Sequence, residues 1–223
     1  MHTVLVTGAN RGIGLEFVRQ YAEEGWKIHA CCRDPKNAEA LAAIKGDITI
    51  HRLDVTDDKQ IAHLVKELKG DAIDIVINNA GVGGGDDSTD PEEWLKVFQI
   101  NSIAPVRVAE ALLPNLEMGS GKIVASLTSR MGSIADNGSG GSYAYRSSKA
   151  ALNAAMKSLA IDWHRRGIIV VVAHPGWVKT DMGGPSALIS PQRSVSGLRQ
   201  KLSALKLADS GGFFNYDGSV LPW

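Results

Sequence analysis

A chain of 223 residues with 44% hydrophobic and 22% charged side chains is long enough for one domain with a sizeable core and too short for two. Its 24 basic and 24 acidic side chains balance, which disfavours a nucleic-acid or anionic-membrane surface as a partner. No stretch reaches the roughly 18 apolar residues of a membrane span, and no targeting segment precedes the first strand-like run, so we expect a cytoplasmic protein.

Short β-branched runs alternate with longer helical patterns, which predicts β-α-β units and a parallel sheet. The predicted strands are Thr3–Thr7, Lys27–Arg33, Ile48–Leu53, Ile73–Asn78, Lys122–Leu127, Ile168–His174 and Phe213–Tyr216. The predicted helices are Ile13–Glu24, Pro35–Lys45, Asp57–Leu68, Pro91–Glu117 (two helices parted near Pro105) and Tyr143–Arg165. The fold class is therefore α/β: a single doubly wound parallel sheet of about seven strands with helices on both faces. We expect one domain over residues 1–223, with a short substrate segment at about 181–212.

Three stretches rich in glycine, serine or proline interrupt this rhythm: Gly81–Asp90, Ser133–Ser142 and Gly183–Gly197. All three are predicted to be irregular and to follow the carboxyl ends of strands, where open α/β sheets bind ligands. The acidic pair Asp86-Asp87 in the first of them is interpreted as a solvated loop feature. The histidines show no ligand spacing, so we predict no metal site.

The first strand is followed by Thr7-Gly8-Ala9-Asn10-Arg11-Gly12-Ile13-Gly14 and then by a helix. Glycines at such a turn let the backbone bend tightly and approach a pyrophosphate closely, and the helix then presents free N–H groups to the anion. A glycine spacing alone is a weak signal, because turns before helices often carry glycine. The strand before it and the helix after it favour a dinucleotide-binding turn of a Rossmann-type domain over a merely structural turn.

The residue after the second strand is expected to meet the adenosine ribose of the dinucleotide. An acidic residue there suits the 2′-hydroxyl of NAD, whereas an arginine suits the 2′-phosphate of NADP. The chain has Arg33 at this place, with an acid only at Asp34, and Arg11 inside the glycine turn offers a second positive charge. NADP(H) is therefore favoured over NAD(H), the alternative being that Arg33 is an ordinary solvated cation.

Tyr145 and Lys149 stand four residues apart at the start of a long predicted helix, so their side chains share one face. A phenol is a poor acid or base at neutral pH, and a nearby ammonium group favours its phenolate. The pair is suited to proton-transfer chemistry, although the spacing alone is more often that of an ordinary pair on a helix surface.

The sequence resembles the short-chain dehydrogenase/reductase family from Thr3 to Trp223. The motifs that carry the resemblance are Thr7-Gly8-x-x-x-Gly12-x-Gly14, Asp54-Val55, Asn78-Asn79-Ala80-Gly81, Asn101, Ser129, Tyr145-x-x-x-Lys149 and Pro175-Gly176-x-x-x-Thr180. Within the family it is most similar to the branch that contains the bacterial C-factor signalling protein and the carbonyl reductase Sniffer.

The resemblance implies four catalytic residues. Tyr145 would act as general acid in reduction and as base in oxidation. Lys149 would lower the pKa of Tyr145 and hold the nicotinamide ribose. Ser129 would donate a hydrogen bond to the substrate oxygen, and Asn101 would hold a water that links Lys149 to solvent. The assignment of Ser129 rests on its position in Ser129-Arg130-Met131-Gly132, with Thr128 and Ser126 close by.

The resemblance also implies a cofactor site and a reaction. Asp54 would meet the adenine edge, Asn79 to Gly81 would pass under its ribose, and Thr180 would hold the carboxamide. The implied cofactor-binding residues are Gly8, Asn10, Arg11, Gly12, Ile13, Gly14, Arg33, Asp54, Val55, Asn79, Ala80, Gly81, Tyr145, Lys149, Pro175, Gly176, Val178 and Thr180. The chain is thus expected to be an NADP(H)-dependent oxidoreductase acting on a small-molecule carbonyl or alcohol. It is also expected to form a homo-oligomer, a dimer or a tetramer. The alternative is a dinucleotide-dependent signalling or sensor protein of C-factor type with little turnover.

The segment after Thr180, which covers the substrate in the family, is shorter than usual here. Trp177 and Met182 are expected either to line the substrate pocket or to pack in the core. The apolar chain end, Leu221-Pro222-Trp223, is expected to pack on the body of the protein or on another subunit.

Overall fold

A computed structural model describes residues 2–84 and 89–223, so the pair Asp86-Asp87 lies outside the described residues. Seven strands form one parallel sheet in the order β3-β2-β1-β4-β5-β6-β7. In chain order, β1 to β7 are Thr3–Thr7, Lys27–Cys32, Asp47–Arg52, Ile75–Asn78, Ile123–Leu127, Ile169–His174 and Phe213–Asn215. The predicted doubly wound α/β sheet is confirmed. Its strand order reverses between β1 and β4, which is where such sheets open a ligand crevice.

Eight α-helices pack around this sheet within the described ranges. In chain order, α1 to α8 are Gly12–Glu23, Glu39–Ala42, Asp58–Glu67, Pro91–Phe98, Ala104–Ala111, Leu113–Met118, Tyr143–Trp163 and Pro191–Ser203. None of the described helices is both long enough and apolar enough to cross a bilayer.

The sheet separates two apolar cores, and β1 shows how one strand serves both. Val4 and Val6 point to one face, where they meet Phe17 of α1, while Leu5 points to the other face and belongs to the same cluster as Leu152 of α7. A strand covered on both sides gains burial from every side chain. This explains why the strands read as nearly continuous apolar runs.

The prediction that Pro91–Glu117 forms two helices parted near Pro105 is wrong. The chain stays helical through Pro105, because this proline stands in the first turn of α5, where no backbone N–H is needed. A π-helical turn, Gln99–Ile103, joins α4 to α5, and the break falls later, at Leu112, before α6. Three α-helices and one π-helical turn therefore stand where the sequence predicted two helices.

The prediction that Gly183–Gly197 is irregular is wrong in its second half, where α8 begins at Pro191. The hydroxyl of Ser190 caps a first-turn N–H of this helix at 3.2 Å, and the proline is tolerated beside it. Val195 and Leu202 then bury one face of the helix. A serine followed by a proline therefore marks a helix start here and not a loop.

The predicted helix Pro35–Lys45 is also shorter than expected. It consists of a 3₁₀ turn at Pro35–Asn37 and the single-turn helix α2, separated by Ala38 in a non-helical conformation. The remaining predicted bounds either coincide with the observed ones or differ from them by one or two residues.

Candidate active site

The turn from Thr7 to Gly14 joins β1 to α1 and folds tightly on itself. Gly8 and Gly12 have φ angles of 65° and 54°, in the left-handed region that favours glycine. A Cβ on Gly14 would lie 2.2 Å from the carbonyl oxygen of Gly8, so only glycine fits there. The N-cap of α1 is Arg11, whose side chain has no hydrogen-bond acceptor, so it leaves the first-turn N–H groups uncapped. Such N–H groups are the ligands of a pyrophosphate.

The loop after β4 is fastened to this glycine turn. The amide nitrogen Nδ2 of Asn79 donates to the carbonyl oxygens of Thr7 (2.8 Å) and Gly8 (3.0 Å). In return, the hydroxyl oxygen of Thr7 accepts the backbone N–H groups of Asn79 and Ala80, both at 3.0 Å. Four hydrogen bonds therefore hold the two predicted cofactor-binding loops against each other, at the crevice between β1 and β4.

Arg33 and Asp54 follow the strands β2 and β3, where the adenosine half of a dinucleotide is expected, and Arg11 lies in the glycine turn. Arg33 directly follows β2 and is exposed. Asp54 follows β3, and its Oδ1 accepts the N–H (3.0 Å) and the hydroxyl (2.7 Å) of Thr56. The guanidinium of Arg11 lies 2.7 Å from a carboxylate oxygen of Asp181, and both side chains are largely exposed. Arg11 thus shares its charge with the segment after β6.

The segment that follows β6 returns to the glycine turn. Gly176 has a φ of 83°, and Val178 pairs with Ile189 in a short bridge. The methyl group of Thr180 lies 3.3 Å from the place of a Cβ on Gly12. The remaining predicted cofactor-binding residues lie in the same loops or at the start of α1: Asn10, Ile13, Val55 and Pro175.

Tyr145 and Lys149 lie one turn apart near the start of α7. The Nζ atom of Lys149 is 5.8 Å from the centroid of the Tyr145 ring and donates to the carbonyl oxygen of Leu127, the last residue of β5, at 2.8 Å. Burial lowers the pKa of the Lys149 ammonium to about 8. The role predicted for Lys149, to lower the pKa of the Tyr145 phenol, stays a prediction. Burial raises the pKa of the phenol above its ordinary value, and the neighbouring Ser129 side chain opposes this by lowering it.

Ser129 lies two residues beyond β5 and begins a 3₁₀ turn at Arg130–Gly132. It is buried, and its Oγ accepts the backbone N–H of Met131 at 3.1 Å. The Ser129 side chain also lies close enough to the Tyr145 phenol to lower the pKa of that phenol. The structure therefore brings the three predicted residues Ser129, Tyr145 and Lys149 together from two distant stretches of the chain.

Asn101 is buried in the π turn between α4 and α5. Its Oδ1 accepts the N–H of Val82 and its Nδ2 donates to the carbonyl oxygen of the same residue, both at 2.9 Å. The Nδ2 also donates to the hydroxyl of Ser148 at 3.1 Å. The side chain thus fixes the loop after β4 onto α7. The water-holding role of Asn101 stays a prediction.

Gly81 is the point where the cofactor loops and the proton-transfer residues meet. A Cβ placed on Gly81 would lie 3.3 Å from Oδ1 of Asn101 and 3.7 Å from Nζ of Lys149. The carboxyl ends of β1, β4 and β5 therefore converge on one edge of the sheet. Three participants were not predicted from the sequence, because they act through backbone atoms or short polar side chains that carry no motif: the carbonyl of Leu127, the backbone of Val82 and the hydroxyl of Ser148.

Trp177 and Met182 are 50% and 60% exposed, so of the two expectations core packing is wrong. The indole N–H of Trp177 donates to the carbonyl oxygen of Gly183 at 2.8 Å, which fixes the ring on its own loop. The chain end packs on the body of the protein as expected. Trp223 lies against Phe213 with ring centroids 5.5 Å apart, and its oxygen accepts the N–H of Ala135 at 2.9 Å.

Known proteins are similar to this chain in sequence and in fold. Residues 2–188 match the family model described as short chain dehydrogenase. The chain is 47% identical to the C-signal of Myxococcus xanthus over 156 residues, which cover 68% of this chain and 93% of that protein.

Two solved structures superpose over the whole chain. The carbonyl reductase Sniffer of D. melanogaster is 36% identical, with complete coverage of both chains and a TM-score of 0.91. The NADPH-bound carbonyl reductase from chicken fatty liver is also 36% identical, with coverage of 100% of this chain and 99% of that one and a TM-score of 0.89.

Proposed function

Because the chain belongs to the short-chain dehydrogenase family, we propose that it is an NADP(H)-dependent carbonyl reductase that uses Tyr145 as its general acid and base. One observation carries the proposal: the phenol of Tyr145 lies beside the side chain of Ser129 and the buried ammonium of Lys149. Two relatives whose chains superpose on this one along their whole length are carbonyl reductases, and one of them holds NADPH.

The residues divide the proton chemistry between them. In reduction, the phenol of Tyr145 gives its proton to the carbonyl oxygen as that oxygen gains negative charge. The Ser129 hydroxyl donates a hydrogen bond to the same oxygen and stabilises the developing charge. The ammonium group of Lys149 stabilises the phenolate that Tyr145 becomes. When bound, the nicotinamide supplies the hydride to the carbonyl carbon. In the oxidation direction the phenolate of Tyr145 removes the hydroxyl proton.

The loops fit a dinucleotide, and the charges favour NADP(H). The glycine turn leaves no room for a Cβ at Gly14, and it opens onto the first-turn N–H groups of α1. The exposed cation Arg33 follows β2 in the position that suits a 2′-phosphate, and Arg11 offers a second cation from the turn itself. Asn79, which joins the two loops by hydrogen bonds, would hold this cofactor-binding turn in its conformation.

Turnover with NADPH tests the proposal. The protein would be mixed with NADPH and a panel of aldehydes, diketones and quinones, and the loss of NADPH absorbance would be followed. We expect the Tyr145→Phe variant to lose about a hundredfold or more in kcat, since one preorganised donor is removed. Tyr143→Phe is the matched control, because Tyr143 lies on the same helix with its ring about half exposed. Full turnover in the Tyr145→Phe variant would refute the proton-transfer role.

A second candidate is a dinucleotide-dependent signalling protein, favoured by the 47% identity to the C-signal. This function needs cofactor binding but no turnover. The two candidates are separated by measuring NADPH affinity and reductase activity on the same sample, and then repeating both with Tyr145→Phe. A chain that binds NADPH tightly but reduces none of the panel would support the signalling role.

We also expect the chain to assemble with copies of itself as a dimer or a tetramer. Sedimentation equilibrium gives the mass in solution directly, and a mass of 23.8 kDa would correspond to the single chain and contradict this expectation.

A further inference from the structure

Asn153 is a buried polar residue on the same face of α7 as the proton-transfer pair. It follows Lys149 by one helical turn and Tyr145 by two, and its side chain is 3% exposed. Its Oδ1 accepts the hydroxyl of Thr128 at 2.7 Å, and its Nδ2 donates to the carbonyl oxygen of Gly132 at 3.3 Å. One amide therefore bonds both ends of the five-residue stretch that carries Ser129.

The stretch from Thr128 to Gly132 has its own short hydrogen bonds. The backbone N–H of Thr128 donates to the carbonyl oxygen of Ala173 in β6 at 2.9 Å, which fixes the start of the stretch to the sheet. The N–H of Gly132 donates to the carbonyl oxygen of Ser129 at 2.8 Å and closes the turn. These bonds shape the turn, but they do not set its distance from α7.

Contact with α7 sets that distance. A Cβ on Gly132 would lie 2.8 Å from both the carbonyl carbon and the Cβ of Lys149, so the turn rests directly on the backbone of the helix. The bonds from Asn153 hold the turn in this contact. Because Tyr145 and Lys149 belong to the same helix, any movement of the turn along α7 changes the distance between the Ser129 hydroxyl and the phenol.

We propose that Asn153 is a positioning residue for Ser129, whose hydroxyl it holds beside the Tyr145 phenol through Thr128 and Gly132. The proposal rests on the proposed reductase function, in which the Ser129 hydroxyl must reach the oxygen that Tyr145 protonates. Groups that act together in this way need placement within about 0.5 Å, and a shift of about 1 Å commonly costs about a hundredfold in rate. Asn153 itself touches none of the reacting atoms.

A double-mutant cycle separates positioning from plain stabilisation. Asn153→Ala is expected to lower kcat by about tenfold to a hundredfold while the KM for NADPH stays close to that of the wild type. In a Ser129→Ala background the same substitution should cost little more, because the group that it positions is already gone. An equal fold-loss in both backgrounds would overturn the proposal.

Two further sets of variants distinguish a loss of positioning from a loss of folding stability. Thr128→Val removes the hydroxyl that bonds Asn153 and should reproduce its effect, whereas Thr128→Ser retains the hydroxyl and should keep more activity than Thr128→Val. Asn115→Ala is the matched control, because Asn115 is a buried amide that makes two hydrogen bonds, to the carbonyls of Leu68 and Asp71, away from the site. It should lower the Tm without changing kcat. A kcat loss in Asn115→Ala equal to that in Asn153→Ala would assign the effect to stability.

A readout without turnover distinguishes failure of this proposal from failure of the reductase function. The nearby Ser129 side chain lowers the pKa of the Tyr145 phenol, so loosening the turn should raise that pKa further. Ultraviolet difference titration, with Tyr145→Phe subtracted to isolate the one phenol, should show a higher pKa in Asn153→Ala than in the wild type. An unchanged pKa would overturn the positioning role even if the protein proves to be a reductase, and a raised pKa would support it even if no substrate is found.

Discussion

The ammonium nitrogen of Lys149 lies 2.8 Å from the carbonyl oxygen of Leu127, so the end of β5 and the first turns of α7 are joined at the centre of the site. This bond fixes a buried cation close to the Tyr145 ring. A buried ammonium that has one neutral acceptor is poorly solvated, and burial lowers its pKa to about 8. Lys149 therefore changes charge within the range in which the enzyme can be assayed.

The proposed reduction should therefore lose rate as the pH rises through about 8. Below that pH Lys149 is an ammonium and stabilises the Tyr145 phenolate, and above it the neutral amine cannot. A profile of kcat against pH should show this fall in rate, the alkaline limb of the profile, in the wild type. In Lys149→Met the rate should be at least about tenfold lower throughout, and the limb should be absent.

Lys157→Met is the control for this substitution. Lys157 lies on the same helix and also donates to a backbone carbonyl, that of Gly211 at 3.2 Å, but away from the site. Its replacement should leave the limb in place. A Lys149→Met profile with an unaltered limb near pH 8 would assign that limb to another group.

Gly14 should not tolerate even the smallest side chain. A Cβ there would lie 2.2 Å from the oxygen of Gly8 and 2.5 Å from Nδ2 of Asn79, so Gly14→Ala must displace the turn or its fastening. We expect a loss of at least about tenfold in NADPH affinity, measured by quenching of protein fluorescence or by calorimetry. Gly138→Ala provides the comparison, since no atom lies within 4 Å of its added Cβ. Equal affinities in the two variants would contradict a role for this turn in holding the cofactor.

The sequence predicted the strands well because the sheet is covered on both faces. The central strands are then short apolar runs, and their ends are marked by turn residues. The helix from Pro91 was harder, because Pro105 looks like a break in a linear pattern. Only the structure shows that it occupies a first turn after a π-helical segment. Local pattern thus identifies an element more reliably than it places a boundary.

The candidate site was predictable where one stretch of chain carries its signal. Tyr145 and Lys149 share a helix face, and the glycines share a turn, so each set forms a local motif that can be recognised together with the other motifs of the chain. Asn153 lies on the same face, but its partners Thr128 and Gly132 are more than 20 residues away in sequence. Such contacts depend on how β5 packs against α7, which no local pattern encodes. The direction of the pKa shift at Tyr145 is of the same kind, because it depends on burial.

Arg33 should decide between NADPH and NADH. Arg33→Asp places a negative charge where the 2′-phosphate is expected, so NADPH affinity should fall by about tenfold to a hundredfold while NADH affinity changes little. Arg11→Ala should cost less, because Arg11 already shares its charge with Asp181 at 2.7 Å. Dissociation constants for both cofactors in each variant measure the two contributions. Unchanged NADPH affinity in Arg33→Asp would show that this arginine is only a solvated cation.

Asp74 should control the stability of the fold in acid. Its buried carboxylate accepts the N–H of Thr3 (2.8 Å), the N–H and hydroxyl of Ser120 (2.8 and 2.6 Å) and the N–H of Gly121 (2.9 Å). Burial alone raises the pKa of this carboxyl, but these hydrogen bonds outweigh burial and lower the pKa to about 2. Asp74 thereby ties the start of β1 to the turn before β5.

Since the pKa of Asp74 is lower in the folded chain than the value of 3.8 in the unfolded one, its stabilisation is present above that value. It should be lost as the pH falls towards 2, and it amounts to about 2 kcal/mol. Urea unfolding at a series of pH values should show this loss in the wild type and not in Asp74→Asn, which should be less stable at neutral pH. Asp58→Asn is the control, because that exposed carboxylate pairs with Arg107 at the surface and should contribute little. If Asp74→Asn loses the same unfolding free energy between neutral pH and pH 2 as the wild type, another carboxyl group is responsible for that loss.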